Sequence, residues 1–526
     1  MLRLASLTGS GVGTVNYGYD AYGRLNKISR ASTVYNFTYD DWGRTVSTKV
    51  GSIALSTNFY DAYSRLSRVD FGNGSAVYYF YDSLDRVSAI NKGNASMSWQ
   101  AYEFIYDGEG NLYELRNYET HRSTFFEYDH AGRCMASTEK SFTGSGSSIA
   151  YGTTVAAYNY KYDANNRLAK LTHTLAGYTW STEYSYDADG RQSLVKLNNG
   201  KTIEYAYGTS TGRPDKITLH LDTDYVVDWT YKPGANGSAT SLLSTYANGS
   251  DAKYNYDYDA NGNITRIWRG NTSFTNASEK YSYVYDSANQ LIRENLYYGS
   301  GNSSNATITY EYDIWGNLLN KKIYAYTVGT LGTARETVPY AYTNSAWKDQ
   351  LTSYDGESIT YDASGNPTNY LGATLVWEGQ RLKSYTPKDA SSGRANSYVY
   401  SYDENGIRTR KTIGNTVTDY YYNGTLLMGT VKTTTNSNGS TTTSKLRFSY
   451  DANGKVVAVN YNGNYYYYLR NAQSDIVKLI DKTGATVVEY TYDSWGKLLS
   501  TSGSLASTLG KDNSFRYRGG DLPYCS

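Results

Sequence analysis

Cysteine is almost absent from this chain of 526 residues, which has only Cys134 and Cys525. Two cysteines so far apart cannot be assumed to pair, so no disulfide framework holds the fold together. The sequence also lacks any run of about 18 apolar residues, the length that a membrane-spanning helix needs. Its first residues, MLRLASLTGSGVGTVNYG, contain no sustained apolar segment of the signal-peptide kind. As given, the chain is expected to be cytoplasmic, or else part of a longer exported protein.

The chain also has almost no net charge: 50 basic and 49 acidic residues leave +1. No bulk field would therefore draw the chain to nucleic acid or to an anionic membrane. Of the four histidines, only His121 and His130 lie near each other and near Cys134, and their spacing matches no zinc pattern. The segment GSGVG at 9–13 lacks the strand, helix and acidic residue of a dinucleotide loop. With no Walker loop, HExxH motif or nucleophile elbow, the sequence predicts no enzyme, cofactor or metal site.

Tyrosine, in contrast, is abundant: the chain has 61 Tyr against 11 Phe and 9 Trp. A ring that only needs burial could be Phe, so the choice of Tyr indicates that most hydroxyls meet water or a partner. This composition is typical of a half-exposed β-sheet.

Many of these tyrosines belong to one repeated phrase, Tyr-Asp-x-x-Gly, in which Asn, Asp or Ser sometimes replaces the glycine. Fifteen clear copies begin at Tyr19, Tyr39, Tyr60, Tyr81, Tyr106, Tyr128, Tyr162, Tyr186, Tyr258, Tyr285, Tyr312, Tyr361, Tyr402, Tyr450 and Tyr492. The first spacings are 20, 21, 21, 25 and 22 residues, which indicates a repeat architecture. Six degenerate copies, at Tyr207, Tyr231, Tyr342, Trp377, Tyr422 and Tyr468, raise the number of units to 21.

Each unit is predicted to be a β-hairpin. In thirteen of the fifteen clear copies an aromatic residue stands two positions before the key tyrosine, which places both rings on one face of a strand. The aspartate suits the first position of a type I turn, and the glycine suits the left-handed residue that closes the loop. The structural residues predicted for this turn are Tyr19, Asp20 and Gly23; Tyr39, Asp40 and Gly43; Tyr312, Asp313 and Gly316; and Tyr492, Asp493 and Gly496.

The predicted fold is all-β, with tandem hairpins that form a long, curved or spiralling sheet. About 42 strands at about 4.8 Å each would make a ribbon on the order of 200 Å long, which its own side chains could not fill if it closed into a ring. The expected product is a hollow shell or a partial cocoon. A β-propeller is the alternative, although its four-stranded blades should repeat at about 40 to 45 residues.

The copies YDAYGRL (19–25), YDDWGR (39–44) and YDANNRL (162–168) resemble the YD repeats of RHS proteins, which include bacterial polymorphic toxins, insecticidal toxin complexes and teneurins. The late segment around YTYDSWGKLL and FRYRG (515–519) resembles the start of the RHS repeat-associated core. The resemblance implies a β cocoon around a C-terminal toxin cargo, and secretion or cell-surface display. After Gly519 the sequence departs from that core, so no self-cleavage aspartate is assigned and Asp521 is not taken for one.

The expected domains are a repeat shell at 1–464, the last repeats with the start of the core at 465–519, and a divergent tail at 520–526. The expected function is a non-enzymatic shell segment of a toxin system, truncated within the core and without plug, cleavage site or cargo. The alternative is an extracellular adhesion module that binds carbohydrate or cell wall through exposed aromatics such as Trp42 and Trp315.

Overall fold

The computed structural model describes residues 3–9, 13–209, 211–234, 237–249, 252–389 and 396–519. The predicted tail at 520–526, with Asp521 and Cys525, lies outside these residues, as does most of the segment at 9–13. Strands dominate the described residues, and neighbours in the chain pair antiparallel, as β2 (Val15–Tyr19) does with β3 (Leu25–Arg30). The all-β prediction is confirmed.

The strands of the first part of the chain are β1 (Ser6–Leu7), β2 (Val15–Tyr19), β3 (Leu25–Arg30), β4 (Thr33–Tyr39), β5 (Thr45–Val50), β6 (Ile53–Tyr60), β7 (Leu66–Phe71), β8 (Ser75–Tyr81), β9 (Val87–Asn94), β10 (Ser98–Tyr106), β11 (Leu112–Asn117), β12 (Arg122–Tyr128), β13 (Cys134–Thr143), β14 (Ala150–Tyr162), β15 (Leu168–Leu175), β16 (Tyr178–Tyr186), β17 (Gln192–Leu197), β18 (Thr202–Tyr207), β19 (Pro214–His220), β20 (Asp224–Pro233), β21 (Ala239–Asn248) and β22 (Ala252–Tyr258).

The second part continues with β23 (Ile264–Arg269), β24 (Lys280–Tyr285), β25 (Leu291–Tyr297), β26 (Ala306–Tyr312), β27 (Leu318–Ala325), β28 (Glu336–Ala341), β29 (Ser353–Tyr354), β30 (Glu357–Ser358), β31 (Thr360–Tyr361), β32 (Pro367–Tyr370), β33 (Ala373–Glu378), β34 (Arg381–Thr386), β35 (Tyr398–Tyr402), β36 (Arg408–Ile413), β37 (Thr416–Asn423), β38 (Leu426–Thr435), β39 (Thr441–Tyr450), β40 (Val456–Tyr461), β41 (Asn464–Arg470), β42 (Ile476–Ile480), β43 (Thr486–Tyr492) and β44 (Leu498–Ser502). A short helix, α1 (Leu509–Asp512), follows β44.

The hydrogen-bonded ladders join β1–β30 into one sheet of 30 strands and β31–β44 into one of 14 strands. A propeller would divide the strands into separate four-stranded blades. The propeller alternative is therefore wrong. A β-bulge precedes the Tyr-Asp turn in twelve of the fifteen clear hairpins: between β2 and β3, for example, the pairing steps from Gly18–Lys27 to Tyr19–Leu25.

The described residues fall into two compact units. The first comprises Met1–Phe104, Tyr258–Arg266 and Ser278–Gly406, and the second Ile105–Asp257, Ile267–Ala277 and Ile407–Ser526. The domain boundaries at 464 and 519 drawn from the sequence stay a prediction.

In the first unit, segments far apart in sequence meet through their turns. The turn after β7 carries Asn73, whose Nδ2 donates to Asp362 Oδ2 (3.0 Å) and to the carbonyl of Gly379 (2.8 Å). Leu296, Ile308 and Tyr310 form a buried cluster on β25 and β26 of the same unit. The far-end turns of early hairpins are thus fixed onto later parts of the chain.

In the second unit, the C-terminal strands pack against strands from the middle of the sequence. A Cβ added at Gly429 would lie 2.4 Å from Leu175 Cδ2 and 2.7 Å from the backbone carbonyl oxygen of Leu446, so a larger residue there would force the backbone to shift. Asn199 also donates to the hydroxyl of Tyr467 (2.9 Å). The largest fully buried side chains of this unit include Trp180, Tyr467, Phe448, Leu469, Ile476 and Leu479, which form its core.

Candidate functional site: the repeated Tyr-Asp turns

Each repeated aspartate organises a five-residue loop. The backbone N–H of Asp20 donates to the carbonyl of Arg24 (3.0 Å), and that of Gly23 donates to the carbonyl of Asp20 (2.9 Å). Oδ1 of Asp20 accepts the N–H groups of Tyr22 and Arg24, both at 2.9 Å. One carboxylate oxygen therefore satisfies two loop N–H groups, and Gly23 closes the loop at φ +83°.

The same geometry recurs at the other turn residues named from the sequence. The loop glycines have φ of +84° at Gly43, +81° at Gly316 and +87° at Gly496. In each case the aspartate accepts two N–H groups at 2.8 to 3.0 Å. The residues so placed are Tyr39, Asp40 and Gly43; Tyr312, Asp313 and Gly316; and Tyr492, Asp493 and Gly496.

Where glycine is replaced, the left-handed conformation is kept. Asn166 and Asn289 have φ of +67° and +60°, and Asp85 has +62°. Asn and Asp tolerate this region better than other residues with a side chain. Ser64, at +69°, has the poorest intrinsic fit of the four.

The arginine after the loop glycine is a partner that the sequence reasoning missed. Arg24 Nε lies 2.6 Å from Asp20 Oδ2, and its guanidinium carbon lies 4.6 Å from the ring centre of Tyr39 in the next hairpin. This stacking on the next key tyrosine recurs at 4.2 to 4.8 Å in other copies. The available signal was the recurrence of Arg at this position in seven clear copies: Arg24, Arg44, Arg65, Arg86, Arg133, Arg167 and Arg191.

The tyrosine hydroxyl makes a second link to the preceding hairpin. Tyr39 donates to the carbonyl of Leu25 at 2.7 Å, and Tyr186 donates to that of Leu168 at 2.8 Å. The same bond is found at 2.8 to 3.0 Å for Tyr60, Tyr81, Tyr128, Tyr162, Tyr285, Tyr312 and Tyr492. The partner of these hydroxyls is therefore backbone, which explains why Phe would not replace Tyr here.

We call this arrangement the Tyr-Asp-Arg joint: an aspartate and arginine of one turn, with the key tyrosine of the next hairpin. The tyrosine hydrogen bond contributes about 1 kcal/mol, and the cation–π contact about 0.5 to 1 kcal/mol at such a partly exposed site. Where the joint is present, these small contributions fix one hairpin to the preceding one. The contacts of the joint stabilise the packing of one hairpin on the next.

The joint also shifts the pKa of its carboxylates. At Asp129, the side-chain hydrogen bond from Arg133 is the main cause that lowers the pKa, with backbone N–H groups adding to it. At Asp20 desolvation acts in the opposite direction, but hydrogen bonds from Arg24 and its charge outweigh it and the pKa is again lowered. These aspartates are held ionised. A general acid, in contrast, is expected to have a carboxyl group with a raised pKa.

Comparison with known proteins agrees with this geometry. A family model described as Teneurin YD-shell matches residues 7–117 and 433–510. In these two segments the chain is thus similar to a YD-repeat shell. It is 36% identical over 172 residues to the tRNA3(Ser)-specific nuclease WapA of Bacillus spizizenii, and 35% identical over 172 residues to the tRNA nuclease WapA of Bacillus subtilis. Each match covers 32% of this chain and 7% of the relative.

Solved structures share the fold over nearly the whole YD-repeat chain. A crystal structure of TcdB2-TccC3-Cdc42 matches with a TM-score of 0.68 at 17% identity, over 97% of this chain and 28% of that chain. A structure of the Photorhabdus luminescens Tc holotoxin pore matches with a TM-score of 0.67 at 17% identity, over 97% of this chain and 27% of that chain. The YD-repeat chain thus spans under a third of these structures, which establish its fold.

The turn that begins at Asp451 lacks both the arginine and the next key tyrosine of the joint. Lys455 stands in place of the arginine, and Arg470 takes the place of the next key tyrosine and donates to the carbonyl of Val456 at 2.5 Å. Asp451 is only 5% exposed, and desolvation raises its pKa. A cavity of about 350 Å³ lies beside Asp451 and Arg470, lined also by Tyr205, Trp229 and Tyr246.

The degenerate copy at Tyr468 has a different register from the one read in the sequence. The loop begins at Asn471, whose N–H donates to the carbonyl of Asp475 (3.0 Å), and Ser474 takes the left-handed position at φ +72°. Asn471 Oδ1 accepts the N–H groups of Gln473 and Asp475, at 3.0 and 2.9 Å. Because the amide oxygen of Asn471 replaces the carboxylate of Asp, the Tyr-Asp motif does not identify this turn in the sequence.

A row of large apolar side chains stands on the outside of four consecutive turns. Tyr22, Trp42, Tyr63 and Leu84 are 80%, 79%, 77% and 69% exposed. The turn itself does not need them, since Ala131, Asn165 and Asp189 occupy the same position elsewhere. We call Tyr22, Trp42 and Tyr63 the aromatic row. Trp315 is not a comparable platform, because it is half-buried and its ring lies 5.4 Å from the Arg30 guanidinium.

The remaining chemistry-bearing residues form no recognisable centre. Among the described residues, no group of three or more His, Cys, Asp or Glu side chains could hold a metal ion. His220 lies between Asp224 (2.9 Å) and Glu204 (3.2 Å), while His121 packs against Phe142. Within the same described ranges, no helix is long and apolar enough to cross a membrane.

Proposed function

We propose that this YD-repeat protein is a non-catalytic wall segment of a toxin system, and that the wall encloses a polypeptide cargo. The observation that carries the proposal is the Tyr-Asp-Arg joint, which occurs in both units and links consecutive hairpins there. The matches to TcdB2-TccC3 and to WapA support a toxin system. Secretion or display at the cell surface is part of the same proposal.

Protease protection of a passenger tests this function. A flexible, protease-sensitive polypeptide is fused to the C-terminus of the full chain, and its digestion rate is compared with that of the same passenger on a compact β domain of similar size. Enclosure predicts digestion at least tenfold slower on the YD-repeat chain. Equal digestion rates on the two carriers would contradict enclosure by this chain.

A second candidate function is glycan binding, which the aromatic row favours. Tyr22, Trp42 and Tyr63 come from adjacent hairpins, so their rings stand about 10 Å apart along the sheet, two strand widths. The guanidinium of Arg24 lies 5.0 Å from the Tyr22 ring and that of Arg65 lies 5.0 Å from Tyr63, which holds those rings in place. An extended β-1,4-linked glycan presents the same face on alternate sugars, at a comparable repeat.

Binding of soluble chitin oligosaccharides and of isolated cell wall by the full chain tests this candidate. We expect saturable binding that is lost in a Tyr22→Ala, Trp42→Ala double variant and kept in Trp99→Ala, which removes an exposed ring outside the row. Binding that is absent from the unmodified chain, or unchanged in the double variant, removes the candidate. Neither outcome depends on passenger protection, so the two functions are tested separately.

A further inference from the structure

A buried arginine in the second unit has no acidic partner. Arg447, on β39, is only 5% exposed, and among the described residues it forms no ion pair. Its Nε is buried without a hydrogen-bond acceptor. Burial lowers the pKa of this guanidinium, but an arginine remains charged at any pH at which the protein is folded. The fold therefore encloses an uncompensated positive charge.

Aromatic rings around Arg447 balance only part of this cost. Its guanidinium carbon lies 4.5 Å from the ring centre of Tyr178 and 6.0 Å from that of Trp180. A cation–π contact offsets only part of the free energy that removal of an ion from water costs. The aromatic contacts alone leave the charge unfavourable.

Further buried donors lie around the same arginine. Asn460, 1% exposed, is the direct cross-strand partner of Arg447 on β40, and its Nδ2 has no acceptor. Its Oδ1 accepts the N–H of Gly463 at 3.1 Å, which orients the amide and leaves Nδ2 as the free end. Trp180, also 1% exposed, has an unpartnered Nε1. Arg447, Asn460 and Trp180 thus each have a buried N–H donor without an acceptor. The three donors lie on β39, β40 and β16.

His173 packs against Trp180 and contributes no charge to this cluster. Its ring stacks on Trp180 at 4.8 Å, and it is 1% exposed. Burial lowers its pKa to about 3, so the imidazole is neutral at physiological pH and adds no second charge.

We propose that Arg447, Asn460 and Trp180 form a binding site for one small inorganic anion of the size of chloride or bromide. Three N–H donors, one of them on a guanidinium that has no carboxylate partner, match such an anion in charge and in hydrogen bonding. The near-complete burial of all three side chains favours a monatomic ion over a larger oxyanion. Occupied, the site joins β39 and β40 to β16, which are far apart in sequence.

Thermal unfolding of the full chain in different sodium salts tests the site. At constant ionic strength, chloride or bromide replaces gluconate, which is too large to enter. We expect a melting temperature that rises and saturates with halide, because an ion that binds only the folded state stabilises it by mass action. Arg447→Met should abolish this response. Lys161→Met, which removes an exposed cation, should leave it unchanged.

Asn460→Asp provides a variant that is expected to fold even if Arg447→Met does not. A carboxylate at position 460 would pair with Arg447, so this variant should keep a high melting temperature in gluconate and lose its response to halide. Crystals grown in bromide should show an anomalous peak within hydrogen-bond distance of Arg447 Nε in the unmodified chain and none in the Asn460→Asp variant. Equal melting in chloride and gluconate, or water in place of bromide, would overturn the proposal.

Discussion

At the scale of the residue, the tyrosine hydroxyl explains why this chain uses Tyr so heavily. The ring of Tyr186 lies 4.3 Å from the Arg167 guanidinium carbon, and its hydroxyl donates to the carbonyl of Leu168. Phe could keep the first contact but not the second. The hydroxyl therefore converts a packing contact into a directional link between hairpins.

Tyr186→Phe tests the value of that link. The variant keeps the ring but removes the 2.8 Å bond to Leu168, so we expect a loss of about 1 kcal/mol in the free energy of unfolding. Urea denaturation followed by tyrosine and tryptophan fluorescence measures it. Tyr63→Phe is the matched control, since that ring is 77% exposed, and it should have no effect. A control variant as unstable as Tyr186→Phe would refute the assignment.

The aspartates of the joint predict the pH dependence of stability. The pKa values of Asp20, Asp40, Asp61 and Asp82 are lowered: desolvation raises them, but N–H groups and the arginine of each turn outweigh it. A carboxyl with a lowered pKa stabilises the fold above its unfolded value of about 3.9, and this contribution is lost as the pH falls through the folded pKa. We expect the urea midpoint to fall steeply below about pH 4.

A variant with Asn at these four positions supplies the comparison. The Asn side chain still has an oxygen that can accept the loop N–H groups, but it cannot titrate. The urea midpoint of this variant should therefore be lower at neutral pH and change less between pH 5 and pH 3. Parallel profiles for the two proteins would show that the carboxylates of the joint do not control acid stability.

At the scale of the element, the turn depends on a residue that accepts positive φ. Gly43 has φ +84°, and a Cβ there would also lie 3.2 Å from Arg24 Nη1. Ser64 holds the same position in the next hairpin with φ +69°. A non-glycine residue in this region costs roughly 1 to 2 kcal/mol, so the turn at Ser64 stores strain that its neighbour avoids.

Opposite substitutions at the two turns should therefore have opposite effects. Ser64→Gly is expected to raise the free energy of unfolding by up to about 1 kcal/mol, and Gly43→Ala to lower it by roughly 1 to 2 kcal/mol. Gly108→Ala, where φ is not positive and a Cβ meets no atom within 4 Å, should be close to neutral. Differential scanning calorimetry would measure all three, and destabilisation by Ser64→Gly would contradict the account.

Local features of these elements could be predicted from the sequence, whereas contacts between elements could not. Asp20 and Gly23 act within five residues, so their spacing reveals the turn. The contacts of Arg24 with Tyr39 and of Tyr39 with Leu25 join consecutive hairpins, and composition indicates only that such partners exist. The sequence also gave no sign of helix α1, whose Leu509 is fully buried and whose Gly510 carbonyl accepts the Tyr490 hydroxyl at 2.8 Å.

At the scale of the whole molecule, long-range pairs are the least predictable part. Arg447 lies far in sequence from Tyr178 and Trp180, and no local pattern marks it. Asp451 was indistinguishable in sequence from the other turn aspartates, but it is buried beside a cavity. The repeats predict the tandem hairpins from sequence. The special surroundings of Arg447 and Asp451 depend on contacts between distant strands, which the sequence does not reveal.

The central proposal is that hairpins linked by the Tyr-Asp-Arg joint belong to a shell that can enclose cargo. Small-angle X-ray scattering of the purified full chain tests it most directly. A wall around open space predicts a single particle whose pair-distance distribution is depleted at short distances relative to a solid body of the same mass. A distribution that fits two separate solid globules would contradict the account.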